Sequence, residues 1–124
     1  MEVRPVDASI ARCESVTGMA VVTVNGEIDS PAADVLDGYV RRLVEEGVVF
    51  LIFDLAGTTY INSAGLGVLA MAAKQARARD GNVALAGLRD RPRRAVEMVR
   101  LDQMVITTVD VDEAKLRLTP PPQC

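Results

Sequence analysis

Apolar residues are dense and β-branched in "MAVVTVNGEI", from Met19 to Ile28, and this stretch predicts a strand with Asn25-Gly26 as a turn or bulge signal. A weaker alternation from Ala8 to Cys13 predicts an edge strand before it. The spacing then changes. In "DSPAADVLDGYVRRLVEEG" the apolar residues Ala33, Leu36, Val40, Leu43 and Val44 form one helical stripe. Asp29 or Ser30 suits the N-cap, Pro31 the first helical position and Gly47 the position just past the end. "VVFLIFDL" is a continuous apolar run ending at Asp54-Leu55, the pattern of a central strand buried on both faces.

The stretch "AGTTYINSA" reads as a connector, followed by a helix from about Ala64 to Ala78. "NVALAG" predicts a short buried strand, and "RDRPRRAVEMVRL" a helix with Pro92 in its first turn. "QMVITTV" predicts the last strand. "DVDEAKLRL" predicts a short final helix whose early acids suit the positive end of its dipole. The order is ββαβαβαβα. Strand–helix–strand crossovers require parallel pairing, with the first strand antiparallel at an edge. The expected fold is a small α/β sandwich on a mixed, mostly parallel sheet. It forms a single domain over residues 1–118, with a frayed Pro-rich tail at 119–124. Its ligands or partners should meet the loops at the carboxyl ends of the central strands.

Composition narrows the function. A chain of 124 residues holds one ordinary domain, and 49% hydrophobic residues can build a real core. The net charge of −3, with no Trp, two Tyr and two Phe, argues against nucleic acid and anionic membrane surfaces as partners. No histidine is present, so a Ser-His-Asp triad and a histidine metal site are excluded within the chain. Cys13 and Cys124 are isolated and are expected to be reduced thiols of a cytoplasmic protein. The first residues lack the apolar core of a secretory signal, and "VVFLIF" is too short to span a bilayer.

The chemistry concentrates in "TTYINSAGLGVLA", residues Thr58 to Ala70. Gly65 to Ala70 match G-x-G-x-x-A, a dinucleotide fingerprint. In a phosphate cradle, however, the glycines follow the strand in a tight turn. Here they fall inside the helix, where Gly67 is expected to permit close helix–sheet packing. No P-loop sequence exists, and no cofactor is expected. Ser63 lacks both the nucleophile-elbow glycine, replaced by Ile61, and a histidine base. Asp29 and Asp54 alone would not activate it. Asn62 and Ser63 are both favoured N-cap types, and one of them should satisfy an orphan amide. A phosphate on Ser63 would sit at the positive end of that helix, adding up to two charges to whatever surface docks there. The arginines Arg89, Arg91, Arg93 and Arg94 are interrupted by Asp90 and Pro92 and read as a solvated helix start.

At this point the residues resemble a family. "VNGEID" (Val24 to Asp29), a helix, and then "LIFDLAGTTYINSAGLGVL" (Leu51 to Leu69) are similar to the STAS domain of anti-sigma factor antagonists, over about residues 8 to 118. Ile61 to Leu69 fit the family's site pattern except at Asn62, where the family usually has aspartate. The resemblance implies that Ser63 is a phosphoacceptor and that the chain is a kinase substrate, not a catalyst. Its partner would be an anti-sigma factor that is also a histidine-kinase-like, ATP-using serine kinase. That partner would bind the unphosphorylated domain and free its sigma factor. Phosphorylation would dissociate the pair, and a PP2C-type phosphatase would reset it. Asp29, Asn62, Ser63, Ala64, Gly65 and Leu66 would form the docking surface of a protein that is monomeric when free. The alternatives are a STAS subunit of a lipid or anion transporter, or a small nucleotide-binding protein.

Overall fold

The structure, a computed structural model, describes residues 8–16 and 18–118. The 119–124 tail and Cys124 lie outside the described residues, and Cys13 is placed only by its backbone in the first strand.

Six strands form one sheet. Strand β1 (Ala8–Val16) pairs antiparallel with β2 (Met19–Ile28) at the edge, with a bulge between Arg12 and Glu14. From β2 the sheet continues in parallel through β3 (Phe50–Asp54), β5 (Asn82–Ala86) and β6 (Ile106–Thr108). This is the expected mixed, mostly parallel sheet. The connector after β3 holds one more short strand, β4 (Thr58–Ile61), which was expected to be loop. Its cause is the length of β2. Strand β3 covers only Met19 to Thr23, so the far end of β2, Gly26 to Ile28, is paired by β4 instead. Gly26, at φ +93°, sits beside the register shift in this pairing, as the Asn-Gly signal implied. Buried Thr58 fixes the junction by donating its hydroxyl to the Val24 carbonyl at 2.7 Å.

Helices α1 (Ser30–Glu45), α2 (Ser63–Arg77) and α3 (Asp90–Met98) cover one face, and α4 (Val111–Leu118) covers the other. Strand side chains divide by parity. Ala20, Val22, Val24, Leu51, Phe53, Val83 and Leu85 enter the larger core, whereas Val21, Ile52, Ala84 and Ala86 pack with Ala114 and Leu118 beneath α4. The predicted α1 stripe is buried in full, and Gly47, at φ +92°, follows the C-cap Glu46. The last strand is shorter than its sequence pattern, because Leu101–Gln103 close a 3-10 turn before it. Asp110 caps α4 through the Glu113 amide at 2.9 Å.

The arginines at the start of α3 are exposed, as expected, but Arg89 also ties the helix to the β3–β4 connector and Arg91 reaches β4. Arg89 Nε donates to the Ala56 carbonyl at 2.7 Å, Arg93 donates to the Leu88 carbonyl at 3.0 Å, and the Arg91 guanidinium lies 5.5 Å from the centre of the Tyr60 ring.

Candidate functional site

Two strand-to-helix junctions lie side by side. Because β2 and β4 pair with Ile28 opposite Ile61, the next residues, Asp29 and Asn62, leave the sheet together. Each then caps a helix. The Asp29 carboxylate accepts from the Ala32 amide at 3.0 Å, and Asn62 Oδ1 accepts from the Gly65 amide at 2.9 Å. Two further bonds lock the junctions to each other. The Asn62 amide donates to the Ile28 carbonyl at 3.0 Å, and Asn62 Nδ2 donates to Ser30 Oγ at 3.2 Å.

The choice between Asn62 and Ser63 as cap is thereby decided for Asn62. Ser63 is the first helical residue, exposed, and its hydroxyl is not engaged in capping. The amides of Ser63 and Ala64 precede the first intrahelical bond, so the positive end of α2 lies next to that hydroxyl. Asp54 accepts from the Ala56 amide at 3.2 Å in a local turn. Both acids are thus engaged by nearby backbone.

Asn62 does what an aspartate could do only in part. Either residue offers Oδ1 to Gly65. Only asparagine can donate to Ser30; an aspartate would require Ser30 to donate instead. Replacing Asn62 by Ala should therefore lower stability by about 1 kcal/mol through loss of the cap. Asn62→Asp should keep that share. Urea midpoints of the two variants check this, and a midpoint for Asn62→Asp as low as that for Asn62→Ala would show that the Oδ1 cap is not what Asn62 contributes.

The two glycines have different roles from those expected. Gly67 is exposed, and a Cβ built on it meets nothing within 4 Å beyond its own helix, so it does not pack against the sheet. The close approach belongs to Gly65. A Cβ there would lie 2.7 Å from Ile28 Cγ2 and 2.9 Å from Ile61 Cγ2, both in buried side chains. Two residues, a little over half a turn, set the difference: Gly65 is on the helix face turned to the two junctions, and Gly67 is on the solvent side. Sequence spacing alone could not orient α2. The buried positions Gly65, Leu69, Ala72, Ala73 and Ala76 do so and leave Gly67 outside.

Of the expected docking residues, Ser63 and Ala64 are exposed, Asp29, Asn62 and Leu66 are partly exposed, and Gly65 is buried. Beside them runs a groove of about 260 Å³ between α2 and the end of α3, lined by Ser63, Leu66, Gly67, Ala70, Val99, Leu101 and Met104. The sequence reading missed its second wall, Val99 to Met104, because that wall comes from a segment distant in sequence. No group of three or more potential metal ligands occurs among the described residues, and none of their helices is long and apolar enough to cross a membrane.

The model of the STAS domain matches residues 11–114 of the chain. The chain belongs to the STAS domain family. The anti-sigma-B factor antagonist of Listeria monocytogenes is 38% identical to this STAS protein over 85 residues, which is 68% of this chain and 74% of the relative. Among solved structures, an anti-sigma factor antagonist from Mycobacterium paratuberculosis superposes with a TM-score of 0.81 at 24% identity, covering 94% of this chain and 98% of its own. The Bacillus cell fate determinant SpoIIAA, solved in its phosphorylated form, superposes with a TM-score of 0.73 at 16% identity, over 90% of this chain and 100% of its own. At such identities the superpositions establish the fold that the sequence predicted.

Proposed function

We propose that this STAS protein is an anti-sigma factor antagonist switched by phosphorylation of Ser63. Unphosphorylated, it binds an anti-sigma factor that is also an ATP-using, histidine-kinase-like serine kinase, and so frees a sigma factor for transcription. Phosphate on Ser63 ends the complex, and a PP2C-type phosphatase restores the free hydroxyl. The protein works in the cytoplasm, as a monomer when free, and is a substrate of the kinase, not itself a catalyst.

The observation that carries this reading is the division of labour between Asn62 and Ser63. Because Asn62 holds the cap, Ser63 can be modified without breaking a bond that the fold needs. A phosphate there would meet the positive end of α2 and would change the charge of an exposed surface by up to two units. The curated relative at 38% identity, named as an anti-sigma-B factor antagonist, supports this reading over a transporter subunit, which the fold alone does not separate. The nucleotide-binding alternative loses support, because both glycines lie within α2 and Gly65 is buried against Ile28 and Ile61.

The test is to incubate the protein with ATP and each histidine-kinase-like ATPase of the same genome, and to read its intact mass. One added phosphate is expected with the cognate kinase and none with Ser63→Ala. Equal phosphorylation of Ser63→Ala would refute the assignment of the site.

A further inference from the structure

Gly67 is a helix-interior glycine that no packing contact within the fold requires. Glycine is unfavourable in a helix relative to alanine, yet a side chain at 67 would meet open space. Gly67 lines the groove between α2 and the end of α3, with Leu66 and Ala70 on the same helix. The opposite wall is apolar, formed by Val99, Leu101 and Met104, and Val99 is 56% exposed. Ser63, exposed at the start of α2, lines the same groove.

We infer that this groove seats an apolar side chain of the anti-sigma kinase, and that Gly67 is kept without a Cβ so that this side chain can enter. The inference rests on the reading of Ser63 as the phosphoacceptor, and continuity identifies the occupant. A kinase that reaches the Ser63 hydroxyl must lay its surface over the residues around it, and the groove begins at Ser63. The nearest apolar surface to the switch residue is therefore within the area that this partner covers. The inference also gives phosphorylation a second action. A dianion on Ser63 would have to lose water when an apolar group filled the groove that Ser63 lines, so the phosphate opposes docking by desolvation as well as by charge.

Folding and binding should respond differently to substitutions at Gly67. Gly67→Ala should raise the melting temperature by roughly 4 °C, as removal of a helix-interior glycine would in a domain of this size. Gly67→Leu should fold, and should bind the kinase that phosphorylates Ser63 at least tenfold more weakly by calorimetry. Val99→Glu, at an exposed position on the opposite wall, should weaken binding to a similar degree and decides the matter if Gly67→Leu fails to fold. If Gly67→Leu, or Val99→Glu in its place, binds within twofold of the wild type, the groove is not the seat. Ser63→Asp, measured alongside, keeps the two ideas apart. Its binding as tightly as the wild type would overturn the phospho-switch, whereas groove variants that bind normally beside a non-binding Ser63→Asp would overturn only the groove.

Discussion

Gly65→Leu is expected to cost this domain about 3 kcal/mol or more, a large share of the roughly 5–15 kcal/mol that holds a typical domain folded. The strain begins at the first added carbon. A Cβ at position 65 would lie 2.7 Å from Ile28 Cγ2 and 2.9 Å from Ile61 Cγ2. Neither methyl can swing aside, because each is fixed on a β-branched Cβ and both side chains are buried. The only relief is to lift the start of α2 off β2 and β4, which would stretch the Asn62 cap and the bond between the two junctions. Gly65→Ala should lose less, because it adds only the Cβ, while the helix propensity gained over glycine, about 1 kcal/mol, is similar for both residues. Urea denaturation checks the order: wild type above Gly65→Ala above Gly65→Leu, at constant slope. A midpoint for Gly65→Leu equal to that of the wild type would show that α2 starts farther from β2 and β4 than these distances require.

That contrast between Gly65 and Gly67 also marks the boundary of what the sequence could show. Period and turn chemistry are local, and they sufficed for β2, for the α1 stripe with Gly47 beyond its end, and for the α/β order. The direction of each helix face is not local. "SAGLGVLA" contains small and apolar residues all round, so its spacing could not say which glycine turns inward. Only the paired junctions at Ile28 and Ile61 answer that. Strand β4 was missed for a related reason. Four residues beside a glycine carry little pattern, and they form a strand because β2 outruns β3. The neighbourhood of Ser63 was legible from its motif, yet the division of roles with Asn62 was not. Both are good capping types, and the bond to Gly65 decides between them.

Ser63→Asp is expected to abolish partner binding while leaving the fold intact. The substitution puts a permanent negative charge at the first helical position of α2, where the helix dipole favours it by about 0.3–1 kcal/mol. It leaves the Asn62–Gly65 cap untouched, so the melting temperature should hold or rise. Binding should move the other way. An aspartate carries less charge than a phosphate, but a docked partner would strip its water without a matching group to replace it. A loss of at least a hundredfold in affinity, about 2.7 kcal/mol, is expected. Ser63→Ala should bind as the wild type does, because the hydroxyl serves the switch and not the cap. Calorimetric binding paired with thermal melts of the same samples separates the possible causes. Lost binding with an unchanged melting temperature assigns the effect to charge at the docking surface. Lost binding with a lowered melting temperature would instead mean that Ser63 supports the fold, and that Asn62 does not cap α2 alone.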